Sequence, residues 1–380
     1  EDSVIYAALV LKPGAAAPQL IRLFEESELS ALIYQDDLAS AQRLETMYAS
    51  RGGRPKQQAL PPKGLYEIIW QALEPELEDI KQIYFATSGV LHRINIGALA
   101  SHKKDLLSEQ FEMTRLNSTR QLAIQEEAGE ERRGALLFGG ITYDPDGSMG
   151  SAEDSPEGAW RYLDWTQREV AGVREILVEA GVPAFIKAKD EASEAVFKTL
   201  GKENPVPRIL HLATHGFFFP DPELQSDSAA ASTQLPSFAQ NANPMLRSGL
   251  ILAGANEAWT GGTVPEGQED GILTAYEISQ MNLKGTELVV LSACETGLGD
   301  IEGNEGVYGL QRAFKMAGVH YLILSLWQVP DKETMEFMNT FYSHWLEDEK
   351  SIPEAFRLTQ KKISNQYENP FWWAGFILIQ

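Results

Sequence analysis

The chain has 380 residues, which exceeds one typical domain and falls short of three, and its 43% hydrophobic and 23% charged residues can form a sizeable core. Those proportions exclude global disorder. Its 32 basic and 54 acidic side chains give a formal net charge of −22, which argues against nucleic acid as a direct partner. One cysteine excludes an internal disulfide framework, and no apolar stretch reaches the roughly 20 residues of a membrane span, so we expect a cytoplasmic protein without a membrane partner.

The first third of the chain predicts a mixed α/β region. The chain opens on Glu1-Asp2-Ser3 rather than on methionine, from which we expect further sequence upstream. The predicted elements are a hairpin of strands 4–11 and 19–24, a helical segment over 29–47, a loop over 51–62, a helix over 65–73, a strand at 80–86, a short hairpin over 91–99, a strand at 111–116, and a helix from Ser118 into the acidic stretch 126–131.

The remainder of the chain alternates strands and helices regularly, which predicts an α/β fold whose mainly parallel sheet is flanked by helices. We therefore divide the chain into an N-terminal α/β lobe at 1–130 and a core at 131–380, interrupted by a mobile insertion at 220–244. The predicted elements are strands 135–143, 184–187, 208–213, 249–252, 287–293, 319–326 and 372–379, with helices 163–180, 191–200, 307–317, one from Asp331 and one near Pro353.

Two of these strands end in residues that carry chemistry. Strand 208–213 leads to His215 and Gly216, and strand 287–293 leads to Cys294. A thiol becomes a good nucleophile at neutral pH when an imidazole lies within hydrogen-bond reach, and the carboxyl ends of neighbouring parallel strands meet at one edge of a sheet. The two residues are 79 positions apart, so this pairing requires the two strands to be neighbours.

Two plainer interpretations remain open at this point. A lone cysteine at the end of an apolar strand is more often inert packing than a nucleophile. His211 and His215 have the even spacing that places both on one face of a strand, where they would serve as metal ligands, but no third ligand lies nearby in the sequence. We expect His211 to be structural and the protein to need no metal or other cofactor.

At these residues the chain resembles the CHAT family, caspase-like cysteine peptidases of clan CD that are related to separase and the caspases. Softer matches in the front half are 88–93 and 118–120. The matching segments of the core are His215-Gly216, 270–278, Leu291-Ser292-Ala293-Cys294-Glu295-Thr296-Gly297, 305–307, 310–314, Ser325-Leu326-Trp327 and Trp373-Ala374.

This resemblance implies a cysteine endopeptidase that cleaves proteins through a His215–Cys294 dyad and an acyl-enzyme intermediate. It also implies an oxyanion hole formed by the backbone N–H groups of Gly216 and Cys294. The pocket for the substrate residue before the cleaved bond would be formed by Ser325, Trp327, Asp331 and Glu295, with Asp331 selecting a basic side chain. Asp331 also suits the N-cap of the following helix, and it can fill both roles.

Members of the family often carry helical repeats upstream that sense a partner, which implies a latent enzyme controlled by an activating protein or an upstream sensor region. Two other functions remain compatible with the sequence. One is a catalytically silent scaffold or interaction module with the same fold. The other is a non-peptidase acyl hydrolase that uses the same dyad, because a nucleophile does not reveal its substrate.

Overall fold

The computed structural model describes residues 4–33, 44, 47–48, 64–101, 105–123, 134–147, 158–219, 236–293, 300–301 and 307–380. The strands of these ranges are β1 (Ile5–Val10), β2 (Gln19–Glu25), β3 (Gln82–Phe85), β4 (Glu112–Arg115), β5 (Ala135–Phe138), β6 (Ala184–Lys187), β7 (Ile209–Ala213), β8 (His215–Phe218), β9 (Ser248–Ile251), β10 (Ile272–Thr274), β11 (Leu288–Ser292), β12 (Asp300–Ile301), β13 (Val307–Tyr308), β14 (Tyr321–Ser325) and β15 (Phe376–Ile379). The α-helices are α1 (Glu26–Ile33), α2 (Leu107–Gln110), α3 (Asp164–Glu179), α4 (Glu194–Lys198), α5 (Asn256–Trp259), α6 (Ala275–Ser279), α7 (Leu310–Met316), α8 (Asp331–Leu346) and α9 (Ile352–Gln366).

Eight strands form the main sheet in the order β3-β4-β15-β14-β11-β7-β5-β6. Every neighbouring pair is parallel except β14 and β15. Helices α3, α8 and α9 pack on one face, and α4, α6 and α7 lie on the other. This arrangement confirms the predicted α/β class with a mainly parallel, helix-covered sheet.

The central strands read as unbroken apolar runs because both of their faces are covered. In β7, Ile209 and Ala213 belong to the core under α3 and α8, whereas Leu210 and Leu212 belong to the core on the opposite face. All five residues of β7 and all five of β11 are buried. The sequence therefore places these two strands in the middle of the sheet, where they are best supported.

Strands β8, β9 and β10 form a separate three-stranded antiparallel sheet, so the prediction that strand 249–252 extends the main sheet is wrong. Their close approach depends on Gly249, because a Cβ atom there would lie 2.5 Å from the Leu273 carbonyl oxygen and 2.7 Å from the Phe217 ring. Only Thr214 separates β7 from β8, so the chain passes from one sheet to the other at the residue before His215.

The predicted hairpin over 91–99 is also wrong, because this stretch forms two 3₁₀ turns, Gly89–Arg93 and Ile96–Ala98. The buried guanidinium of Arg115 donates to the carbonyl oxygens of His92 and Ile94 at 3.0 and 3.2 Å. These carbonyls therefore have a side-chain partner in place of the strand ladder that a hairpin would supply.

Two helix starts differ from prediction. Helix α7 begins at Leu310, and the residues predicted as its first turn form β13, which pairs with β12. Helix α8 begins at Asp331 itself after Pro330, and no side chain caps it, so the predicted N-cap role of Asp331 is wrong. Several predicted segments lie outside the described residues. They are most of the helical segment after Ile33, the loop 51–62, the acidic stretch 126–131 and most of the insertion 220–244.

The N-terminal region is attached to the main sheet through β3 and β4. The buried amide of Asn95 strengthens this attachment, since its Nδ2 donates to the carbonyl oxygens of Ala374 and Phe376 at 2.9 Å each. Residues of the predicted lobe 1–130 and of the predicted core 131–380 share one hydrophobic cluster. No described helix combines the length and apolarity needed to cross a bilayer.

Candidate active site

The strand ends that carry the predicted dyad are neighbours in the main sheet. Strands β7 and β11 are parallel, with registered pairs from Ile209↔Leu288 to Ala213↔Ser292. The Thr214 N–H continues the ladder by donating to the Ser292 carbonyl oxygen at 3.3 Å. The strands that lead to His215 and Cys294 are therefore neighbours, as the predicted dyad requires. Cys294 and Glu295 lie outside the described residues.

His215 is held by a backbone carbonyl and two aromatic rings. Its Nε2 lies 2.7 Å from the Arg161 carbonyl oxygen. Because a carbonyl only accepts, Nε2 carries the proton and Nδ1 keeps its lone pair in the neutral ring. The ring centroid lies 5.0 Å from that of Tyr143 and 4.8 Å from that of Trp160.

Burial lowers the pKa of His215 below its ordinary value, and the bond to Arg161 opposes this effect. A lowered pKa keeps the imidazole neutral at physiological pH, with Nδ1 free to take a proton. The arrangement therefore suits a general base rather than a permanent cation.

The segment that supplies the Arg161 carbonyl is fixed by Asn256, a buried residue at the start of α5. The Trp160 N–H donates to Asn256 Oδ1 at 2.8 Å, and Asn256 Nδ2 donates to the Trp160 carbonyl oxygen at 3.0 Å. Asn256 Nδ2 also contacts Asp144 Oδ1 at 2.8 Å. Sequence reasoning missed both Arg161 and Asn256, since a backbone carbonyl leaves no mark in a sequence and Asn256 carries no motif.

Hydrogen bonds of Tyr143 and Thr214 stabilise the junction between β7 of the main sheet and β8 of the three-stranded sheet. The Thr214 hydroxyl donates to the Ile251 carbonyl oxygen, so the Tyr143 hydroxyl, 3.0 Å from Thr214 Oγ1, is the donor in their contact. Burial raises the pKa of Tyr143, which keeps this donor protonated. Gly216, the described member of the predicted oxyanion pair, lies in β8 opposite Leu250.

A narrow slot of about 20 Å³ opens at the carboxyl ends of β7, β11 and β14, between the sheet and helices α3 and α8. Its walls include Thr214, Ala293, Ser325 and Asp331. The Ser325 hydroxyl donates to the Ala293 carbonyl oxygen at 2.6 Å, which ties the ends of β14 and β11 together. Two of the predicted pocket residues, Ser325 and Asp331, are thus brought together here.

Trp327 lies elsewhere. Its Nε1 donates to the Phe371 carbonyl oxygen at 2.9 Å, its ring packs against Tyr48, and it is absent from the described walls of the slot. The indole therefore packs against the hydrophobic core rather than lining the slot.

The slot is electrostatically negative. Burial raises the pKa of Asp331, and the nearby carboxylates of Glu169 and Asp164 raise it further. Glu169 is a buried wall residue that the sequence reasoning did not select. The sequence does carry a signal for Glu169. Thr166, Glu169 and Val173 repeat at helical spacing on the buried face of α3, and a carboxylate on a buried face is costly unless it has a specific role.

The two histidines of the possible metal pair have other partners. His211 is fully buried, with Nε2 2.8 Å from Glu169 Oε1 and Nδ1 3.3 Å from the Tyr342 hydroxyl, which fits the expected structural role. Within the described part of the chain, one acidic trio lies close enough to share a metal ion: Glu194, Glu269 and Glu277. The ammonium of Lys198 already lies 2.5, 2.7 and 2.6 Å from these carboxylates.

Comparison with known proteins agrees with the sequence resemblance. Tetratricopeptide repeat protein 28 of Homo sapiens is 24% identical over 346 residues, which is 84% of this chain and 13% of the human protein, so the chain spans about an eighth of that relative. Among solved structures, the Arg specific cysteine proteinase gingipain R matches 81% of this chain and 65% of its own with a TM-score of 0.48 and 9% identity. The Saccharomyces cerevisiae separase–securin complex matches 84% of this chain and 18% of its own with a TM-score of 0.43 and 13% identity. The CHAT domain family matches residues 61–380, so this chain belongs to the CHAT domain family.

Proposed function

We propose that this protein is a cysteine endopeptidase in which His215 and Cys294 form the catalytic dyad. One observation carries the proposal: the slot is lined by both Thr214 and Ala293, the residues directly before His215 and Cys294. Consecutive Cα atoms are about 3.8 Å apart, and this connectivity supports the proposal that the two dyad members act close to the slot. A substrate side chain in the slot would present its carbonyl group to them.

In the proposed mechanism, Nδ1 of His215 removes the thiol proton of Cys294, and the thiolate forms a C–S bond to the substrate carbonyl carbon. The backbone N–H groups of Gly216 and Cys294 would stabilise the resulting oxyanion, a contribution typically worth about 3 kcal/mol per donor. The imidazolium then protonates the amine nitrogen as the C–N bond breaks. Water, deprotonated by Nδ1, finally hydrolyses the thioester and releases the acid and the free thiol.

The acidic slot supports a preference for a basic residue before the cleaved bond. Burial, and then the nearby carboxylates, raise the pKa of Asp331, so its charge is unfavourable in the free protein. A guanidinium or ammonium group at the mouth of the slot would offset that cost, whereas an apolar side chain would add to it. Ser325 supports the wall, and Glu295 stays a proposed pocket residue.

We further propose that the enzyme is latent and is switched by a partner protein or an upstream repeat region. The human relative is named as a tetratricopeptide repeat protein, and this chain corresponds to a small part of it. A reducing compartment such as the cytoplasm would keep the proposed nucleophile as a free thiol.

The test combines covalent labelling with substrate discovery. A peptide carrying a thiol-directed warhead should label Cys294, and labelling should fall by at least about 100-fold in His215→Gln, since a positioned base contributes about 10²–10⁴-fold. His344→Gln is a matched control, because His344 lies in the last turn of α8 and pairs with Asp348.

Proteome cleavage separates the competing functions. Wild-type protein incubated with a cell proteome should generate new peptide ends that Cys294→Ala does not generate. Labelling with no new peptide ends would favour an acyl hydrolase acting on small esters or amides. Absence of both, with every proposed activator present, would favour a silent scaffold.

A further inference from the structure

Two residues that line the slot, Glu169 and Ser292, have no role in substrate binding assigned above. Glu169 is 1% exposed and lies on α3, and Ser292 is 6% exposed and ends β11. Both line the same slot as Asp331. Their positions follow from the pattern of the fold, since Ser292 shares a sheet face with Val290, and that face is covered by α3 and α8.

Ser292 is the feature that points to a ligand. Three neighbouring strands, β7, β11 and β14, are each followed by or end in a hydroxyl residue that lines the slot. Thr214 donates to the Ile251 carbonyl oxygen and Ser325 to that of Ala293. The buried Ser292 Oγ, in contrast, has no hydrogen-bond partner among the described residues. Buried hydroxyl groups are nearly always bonded, so this one marks a place for a bound group.

Glu169 is held in position by the residues behind it. Burial raises the pKa of the Tyr342 phenol, and Glu169 raises it further, so its hydroxyl stays a donor. That hydroxyl lies 3.3 Å from Nδ1 of His211, whose Nε2 lies 2.8 Å from Glu169 Oε1. A Tyr342 O–H bonded to Nδ1 places the imidazole proton on Nε2, which donates to Glu169. This chain of bonds takes Oε1 and leaves Oε2 for a ligand.

We propose that Glu169 and Ser292 are specificity-determining residues that, with Asp331, hold the charged tip of an arginine or lysine side chain in the slot. The inference rests on the proposed peptidase function. The chemistry matches because an ammonium carries three N–H donors and a guanidinium five, and neither has an acceptor. The two carboxylates of Glu169 and Asp331 and the hydroxyl oxygen of Ser292 each offer an acceptor for such a donor within one slot. His211 and Tyr342 are positioning residues for Glu169.

Binding to the Cys294→Ala protein tests this without requiring catalysis. Two probes share one peptide sequence and differ at the C-terminal amide, which is agmatine in one, with a guanidinium, and isoamylamine in the other, which is neutral. Calorimetry should show at least about tenfold preference for the agmatine peptide, or about 1.4 kcal/mol, because the neutral peptide leaves the buried carboxylates without a charged partner. Adding Glu169→Gln should remove most of that preference, and Ser292→Ala should reduce it several-fold. Glu175→Gln, an exposed change on the same helix, should leave it intact.

The outcomes separate the two proposals. Equal binding of both peptides by the Cys294→Ala protein, or an unchanged preference in Glu169→Gln, would overturn the inference. Should Glu169→Gln fail to fold, Ser292→Ala decides, and an unchanged preference there would overturn it equally. A strong preference that depends on Glu169, combined with no labelling or cleavage by the wild-type protein, would refute the peptidase function and leave the binding inference standing.

Discussion

Replacing Asn256 by alanine tests whether the carbonyl that orients His215 must be held in place. In the native protein Asn256 accepts from the Trp160 N–H and donates to the Trp160 carbonyl oxygen, one residue before the carbonyl that bonds His215 Nε2. Asn256→Ala removes both bonds and also the bond from Asn256 Nδ2 to Asp144 Oδ1. A buried polar group left without a partner costs about 1–3 kcal/mol, and Trp160 is only partly buried, so we expect a loss of about 1–2 kcal/mol in the free energy of unfolding.

The rate of catalysis should fall even at a temperature where the Asn256→Ala variant is fully folded, which loss of stability alone would not cause. Displacing a base by about 1 Å costs about 100-fold, so we expect kcat for a peptide substrate to fall about 10- to 100-fold with little change in KM. If turnover is too slow to follow, the rate of Cys294 alkylation by iodoacetamide at neutral pH replaces kcat. Asn256→Asp keeps an acceptor for the Trp160 N–H but places a carboxylate oxygen against Asp144 Oδ1 and the Trp160 carbonyl oxygen, so it should not restore the wild-type rate.

Comparing the loss of stability with the loss of rate shows whether Asn256 positions the Arg161 carbonyl for His215. A variant whose unfolding free energy drops by about 1–2 kcal/mol while kcat stays within twofold of wild type would refute the positioning role. Such a result would mean that Arg161 and His215 find each other without the clamp. Urea denaturation of the folded variant supplies the stability, and the same preparation supplies the kinetic constants.

Three further predictions concern the pH dependence of catalysis and the stability of two variants. Because burial lowers the pKa of His215 and the base acts only when neutral, the acidic limb of kcat/KM should lie below the ordinary histidine value of 6.5, and a limb at pH 7 or above would contradict this. Gly249→Ala places a Cβ atom 2.5 Å from the Leu273 carbonyl oxygen and should cost about 1–3 kcal/mol in urea denaturation, whereas Gly97→Ala, whose nearest atom is 3.5 Å away, should cost about 1 kcal/mol or less. Arg115→Gln removes buried donors from the carbonyls of His92 and Ile94 and should destabilise by about 2–4 kcal/mol, and a loss below 0.5 kcal/mol on the same denaturation curve would refute that account.

The sequence predicts the central strands well because their physics is local. Strands β7 and β11 are covered on both faces, so an apolar run bounded by polar residues marks each one. Helix α3 is similarly clear, since its buried positions repeat at helical spacing over 16 residues. The alternation of strand and helix also predicts that they run parallel, but their adjacency, on which the pairing of His215 with Cys294 depends, comes from the structure.

Partners that are distant in sequence could not be predicted in this way. An apolar run does not state which strand it pairs with, so β9 was assigned to the wrong sheet although its existence was predicted. The stretch 91–99 has a strand-like composition, and its turns depend on Arg115, which lies about 20 residues further along the chain. The carbonyl of Arg161 is the extreme case, because any residue type offers one.

The apolar central strands explain how costly polar groups can be held together in the slot. In the free protein its polar groups are costly: Asp331 carries a raised pKa, Glu169 is a buried carboxylate, and Ser292 has no described partner. Such costs persist only where surrounding packing over-determines the geometry, and the fully buried strands β7 and β11 supply that packing. A single cationic side chain would relieve all three costs at once. Under the proposed function, binding energy and selectivity would therefore come from the same groups, because an apolar side chain of equal size offers none of them a partner.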